Sequence, residues 1–180
     1  MGWTFKLHGG VAAGLGAALL SLAALTWLPG TLPLSGASWW EAAIFASAFS
    51  TCVSALVRLA LTRAAKDVVW LAFRCLPGTV QMALGALAVG GAALLVFSTQ
   101  QETNLQSAEI RDGRYVALDT TPHARGRVEI SRHRYEDVLE SDQRTMLAIP
   151  GLLCLGGAYA ALTAGELRRA DRAVAPADAT

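Results

Sequence analysis

Asp119, His123, Glu129 and His133 crowd one charged stretch of the chain. Carboxylates beside imidazoles are the side chains from which metal sites and acid–base pairs are built. Their spacing matches no zinc-ligand pattern, and the stretch reads instead as the solvated surface of a hairpin. No catalytic residue, metal ligand or cofactor-binding residue is assigned, and no cofactor is expected.

The thiols give no redox motif. Cys52, Cys75 and Cys154 are far apart in sequence, without a Cys-x-x-Cys pair. A quinone-linked thiol oxidoreductase needs paired thiols, so small apolar filler is the expected role for all three. Carboxylates in the middle of apolar runs, the usual mark of ion-coupled transport, are missing too. Ser47, Ser50, Thr51 and Ser54 gather in the second apolar run and would line a polar path in an oligomeric channel. Serine and threonine in such helices commonly bond instead to a carbonyl one turn back.

The elements that must position these groups are four apolar runs, at about 7–28, 40–61, 79–97 and 146–164. A helix of about 20 residues spans the roughly 30 Å of a hydrocarbon core. Hydrophobic residues make up 53% of the chain and charged residues 16%, against about a quarter charged in an ordinary soluble domain. The charges are also segregated: Glu41 is alone between Leu7 and Val57, whereas Thr99 to Arg144 holds seven arginines and nine acids. The expected fold is an all-α membrane protein with four transmembrane helices, one domain over 1–180, and a small α+β extracytoplasmic loop between helices 3 and 4. A net charge of +1 with scattered basic residues excludes a nucleic-acid partner.

The first run competes with a secretory signal, because Lys6 and His8 precede it and Ser21-Leu22-Ala23 has the small residues of a cleavage site. It is long for a signal core and continues to Trp27-Leu28, which favours a retained helix. Segment 67–77 is too short to span; it reads as an interfacial helix ended by Pro77-Gly78, or else as the start of a kinked third helix.

Orientation follows from the basic residues. The connection Pro29–Trp39 has none, whereas Arg58, Arg63, Lys66 and Arg74 surround the second connection. Basic short loops face the cytoplasm, so both termini lie inside, including a tail at 165–180. Thirteen arginines against two lysines in an alanine-rich chain suggest a GC-rich bacterial genome, and the expected location is the bacterial cytoplasmic (inner) membrane. Trp27, Trp39 and Trp40 would anchor the outer boundary, and Trp3 and Trp70 the inner one.

Small residues at four-residue spacing allow helices to approach closely in lipid. The candidates are Gly10 and Gly14 in the first run, Ser47, Thr51 and Ala55 in the second, Ala86 and Gly90 in the third, and Gly157, Ala161 and Gly165 in the fourth. The outer loop, 98–145, is longer than joining two helices requires. Thr99 to Glu109 is expected to extend the third helix, and Arg111-Asp112-Gly113 to turn. Strands at 114–119 and 127–133 would form a two-stranded hairpin, with a helix from Arg134 leading into the fourth span. A lone hairpin is marginal in water and must lean on something. Tyr115, Arg125, Arg127, Arg132 and Tyr135 are the candidate partner-contact residues.

A short first outer loop and a larger second one are similar to the tetraspanin layout, but the Cys-Cys-Gly motif and loop disulfides of that family are missing. No family is assigned. The expected function is a non-enzymatic membrane accessory subunit that touches a membrane-protein partner, or a second copy of itself, through the outer loop. The competing readings are an oligomeric channel or transporter subunit, and a membrane enzyme with its site in the loop.

Overall fold

A computed structural model describes residues 2–28, 30–34, 39–101, 104–123 and 125–174. The element order is α1 (Trp3–Leu25), α2 (Trp39–Ala60), α3 (Lys66–Arg74), α4 (Gly78–Gln101), β1 (Leu105–Arg111), β2 (Arg114–Asp119), β3 (Gly126–Glu129) and α5 (Arg132–Val174). Four of the helices, α1, α2, α4 and α5, are long and apolar enough to cross a membrane.

Local chemistry sets the helix ends. Glu41 sits in the first turn of α2 and Arg58 in its last, each complementing the partial charge of its terminus. Pro77 cannot continue α3, and its carbonyl instead receives the first amides of α4, from Val80 at 2.9 Å and Gln81 at 3.2 Å. The Gln81 side chain reaches back to donate to the carbonyls of Arg74 and Leu76. The short α3 is therefore a separate helix joined to α4 by a capped corner.

The 43-residue α5 is the hub of the molecule. At about 1.5 Å per residue it is roughly 64 Å long, about twice the thickness of a hydrocarbon core. It packs against α1, α2, α3 and α4 and against β1 and β2, whereas α2 touches neither α3 nor α4 among the described residues. In consequence 56% of the apolar window of α5 is buried, but only 11% of that in α2 and in α4. The main core joins Ala12, Leu19, Leu20 and Ala23 of α1 to Leu147, Ala148, Cys154, Leu155 and Ala158 of α5. Alanines alternate with leucines in this core, and Gly16 stands where the α1 and α5 backbones approach too closely for a side chain.

The loop between α4 and α5 differs from its expected form. Residues 105–111 are a strand rather than a helical extension of α4, because β1 pairs with β2 and lends it the neighbour that a two-stranded hairpin lacks. The result is a three-stranded antiparallel sheet in the order β1-β2-β3. Expectation placed the second strand through His133, but β3 ends at Glu129 and α5 begins at Arg132. Ser131 marks the switch: its carbonyl accepts the Tyr135 amide and its hydroxyl the Arg134 amide, so it acts as an N-terminal cap. The expected turn at 111–113 is present, with Asp112 and Gly113 at φ of 51° and 75°. Two left-handed residues in succession match the twist of a tight hairpin. The tail expected over 165–180 is helical as far as Val174, and 175–180 lie outside the described residues.

Candidate functional site

The features most able to contact another molecule lie at the sheet end of α5. Cross-strand register gives the sheet two faces. Tyr115, Ala117 and Val128 share one face, and Val116, Leu118, Arg114, Arg127 and Glu129 share the other. The first face packs on α5: Ala117 and Val138 are buried, and the rings of Tyr115 and Tyr135 meet at 4.9 Å.

A bulge supplies the polar attachment. The register slips between Gln106 and Glu109, and Ser107 adopts φ 51°. Such a slip removes an amide from the ladder. The Ser107 amide donates instead to Asp142 Oδ2 on α5, at 2.9 Å.

On either side of Asp142, α5 holds the α1 to α2 connection. Glu140 Oε1 accepts the Gly30 amide at 2.9 Å, and Gln143 Nε2 donates to the Leu34 carbonyl at 2.7 Å. Arg144, only 6% exposed, donates from Nε to Thr26 Oγ1 at 3.1 Å and from Nη2 to the Thr26 carbonyl at 3.2 Å. Its guanidinium lies 4.8 Å over the Trp27 ring. Thr26 is the C-cap of α1, so the cation sits where unsatisfied carbonyls concentrate negative partial charge. Trp27 meets Phe97 of α4 edge-on, which ties a third helix to the same point.

The outer face of the sheet is charged. Arg127 pairs with Glu109 at 3.1 Å and Arg114 with Glu129 at 3.2 Å, and both pairs are exposed. Pairs of this kind contribute at most about 1 kcal/mol, but they order the face and frame Leu118, which is 40% exposed. Of the other expected contact residues, Arg132 pairs with Glu136 at 2.9 Å, Arg125 is exposed where β3 begins, and Tyr115 and Tyr135 are engaged with each other.

The groups first considered for chemistry do not converge. Asp119 Oδ1 accepts the Thr121 hydroxyl at 2.5 Å and the Thr121 amide at 2.8 Å. These two bonds hold its carboxyl below the usual carboxylate range, the hydroxyl contributing most. Glu129 faces Arg114, and His133 lies 3.9 Å from Asp137. Among the described residues no three His, Cys, Asp or Glu side chains are grouped to hold a metal ion. Ser47 and Ser54 donate to the carbonyls of Ile44 and Thr51 on their own helix.

The candidate packing residues divide by position. Gly157 stands against the Cys52 backbone, 3.2 Å from Cα to the place of a Cβ. Ala55 and Ala161 are buried together, and Gly165 is buried. Thr51 lies beside α1, its carbonyl oxygen 3.1 Å from His8 Nε2. Gly10 and Gly14 have open space around them, and Ser47, Ala86 and Gly90 are exposed. The glycines of α1 and α4 that meet other helices are Gly9, Gly16 and Gly91. Sequence reading by four-residue steps missed them. The signal was a seven-residue step, Gly9-Gly16-Ala23 in α1 and Leu84-Gly91-Ser98 in α4, the period of a helix–helix seam.

This geometry defines a class: a helical chain with four helices of membrane-crossing length and apolarity, carrying a small sheet braced on the longest of them. The chain matches no known protein family, no characterised protein and no solved structure.

Proposed function

We propose that the chain is a multi-pass protein of the bacterial inner membrane, with both termini cytoplasmic, and that it serves as a non-enzymatic accessory subunit. Its helices pack beside a larger membrane complex, or a second copy, and the outer face of the sheet contacts the partner. The observation that carries this reading is the bracing of the sheet on α5 through Ser107 with Asp142 and Tyr115 with Tyr135. A surface meant only to join two helices has no need of a rigid mount.

The exposed faces of α2 and α4 support the membrane part of the reading, since Phe49, Val53, Val57, Val89 and Val96 are all exposed. So large an apolar surface needs lipid or protein as its solvent. The alternation of the helices also fits two termini on one side: Arg58 of α2 and Arg168 of α5 both lie over the Phe5 ring of α1.

A photo-crosslinking residue at Leu118, in the native membrane, tests the proposal. The expected result is one discrete adduct that disappears when Arg114 and Arg127 are changed to Glu. Extraction of a homogeneous particle with no adduct and no second polypeptide would overturn it.

A further inference from the structure

At the opposite end of the bundle from the sheet, α2 and α3 are held apart and a groove opens between them. Its volume is about 500 Å³, and it is lined by Leu56, Leu59, Arg63, Lys66, Val69 and Tyr159, with Ala60 and Ala64. Clefts that hold small molecules have roughly 300–1,000 Å³. The walls are mainly aliphatic, and Tyr159 of α5 forms part of the lining, its ring fixed against Phe73 of α3 at 5.1 Å.

Two cations stand at the rim. Arg63 and Lys66 are exposed, and neither belongs to an ion pair among the described residues. Asp67, the acid nearest in sequence, does not line the groove. Arg63 also holds φ 51°, a conformation that few side chains of the L series adopt and that glycine adopts freely.

We infer that this groove binds one anionic phospholipid, with the phosphate between Arg63 and Lys66 and an acyl chain along Leu56, Leu59 and Val69. The inference rests on the membrane reading above. It follows from depth as well as charge. The apolar run of α2 ends at Leu61 and the cations follow within five residues, so the rim falls at headgroup level while the aliphatic wall continues into the acyl region. Basic pockets between helices at a cytoplasmic face suit anionic headgroups for this reason. The exposed Val68, Trp70 and Leu71 of α3 would lie beside the bound lipid in the same interface.

The test uses the full chain in detergent micelles with an equal mixture of phosphatidylglycerol and phosphatidylcholine, read by native mass spectrometry. The expected result is one retained phosphatidylglycerol, preferred about tenfold. The double variant Arg63→Gln/Lys66→Gln should abolish the preference, Arg63→Lys/Lys66→Arg should restore it, and Arg168→Gln/Arg169→Gln should leave it unchanged. Excess inorganic phosphate should not displace the lipid. Equal retention of both lipids, displacement by phosphate, or a preference that survives the Gln double variant would each overturn the inference. A chain that needs detergent yet shows no preference loses only the lipid site, whereas a chain stable in buffer alone loses the membrane reading as well.

Discussion

The carbonyl oxygen of Gly151 lies 3.0 Å from the place that a Cβ on Gly16 would occupy, and the Gly16 carbonyl lies 3.4 Å from the corresponding place on Gly151. The two helices meet backbone to backbone at this crossing. Leu20 and Leu155 close over it on either side. A side chain at Gly16 has to push against a carbonyl that a continuous 43-residue helix holds in place.

Gly16→Val is therefore expected to destabilise the fold by about 1–3 kcal/mol, the usual range for overpacking. Gly14→Val meets open space and should change stability by under about 0.5 kcal/mol. Thermal unfolding of the two variants in one detergent separates them. Equal losses would mean that α1 presents a different face to α5.

Arg144→Met keeps much of the side-chain length and removes both bonds to Thr26. Hydrogen bonds to charged groups contribute about 1.5–3 kcal/mol, and a loss of that size is expected. Thr26→Val removes the Oγ1 acceptor and the bond that Oγ1 donates to the Ala23 carbonyl, but leaves the Thr26 carbonyl to receive Nη2, so a smaller loss than that of Arg144→Met is expected. The Trp27 emission should change in the Arg144 variant, since the cation lies over that ring. An unchanged melting temperature in both variants would contradict the capping role.

Asp142→Ala should loosen the sheet without unfolding the helices. The Ser107 amide loses its acceptor, and because the bond is exposed the loss is on the order of 1 kcal/mol, that of an ordinary hydrogen bond. Hydrogen exchange is the measurement: amides of β1 and β2 should exchange faster, while those of α1 and of α5 near Cys154 keep their protection. Uniform loss of protection would mean that the sheet and the helices open as one unit.

Asp119 gives a pH dependence with a definite sign. Its carboxyl is held below the usual value by Thr121, so the folded state favours the ionised form. The resulting stability is present above the ordinary carboxylate pKa and is lost as pH falls through the depressed one. Asp119→Asn should flatten that acid limb for the end of β2, followed by the Thr121 amide shift. A Thr121 amide shift that titrates with the midpoint of a free carboxylate would contradict the bond.

Much of this architecture was legible in the sequence, because the apolar runs are uninterrupted and Pro77-Gly78 offered an end for the short helix before the third run. The strand at 105–111 was not. Gln106, Ser107 and Glu109 lack clean alternation, and a bulge at Ser107 is fixed by Asp142, a residue 35 positions away. Arg144 was equally hidden: four residues after Glu140 it reads as an ordinary helical ion pair, but Glu140 turns to the Gly30 amide and Arg144 to Thr26. Both choices depend on where the α1 to α2 connection lands.

Lipid solvating the outer surfaces of α2 and α4 is the assumption from which the accessory-subunit and phospholipid proposals descend. An alkaline carbonate wash of membranes from cells expressing the full chain tests it directly. Retention of the chain in the membrane pellet, with release only by detergent, is predicted. Release into the supernatant as a compact, detergent-free monomer would contradict it.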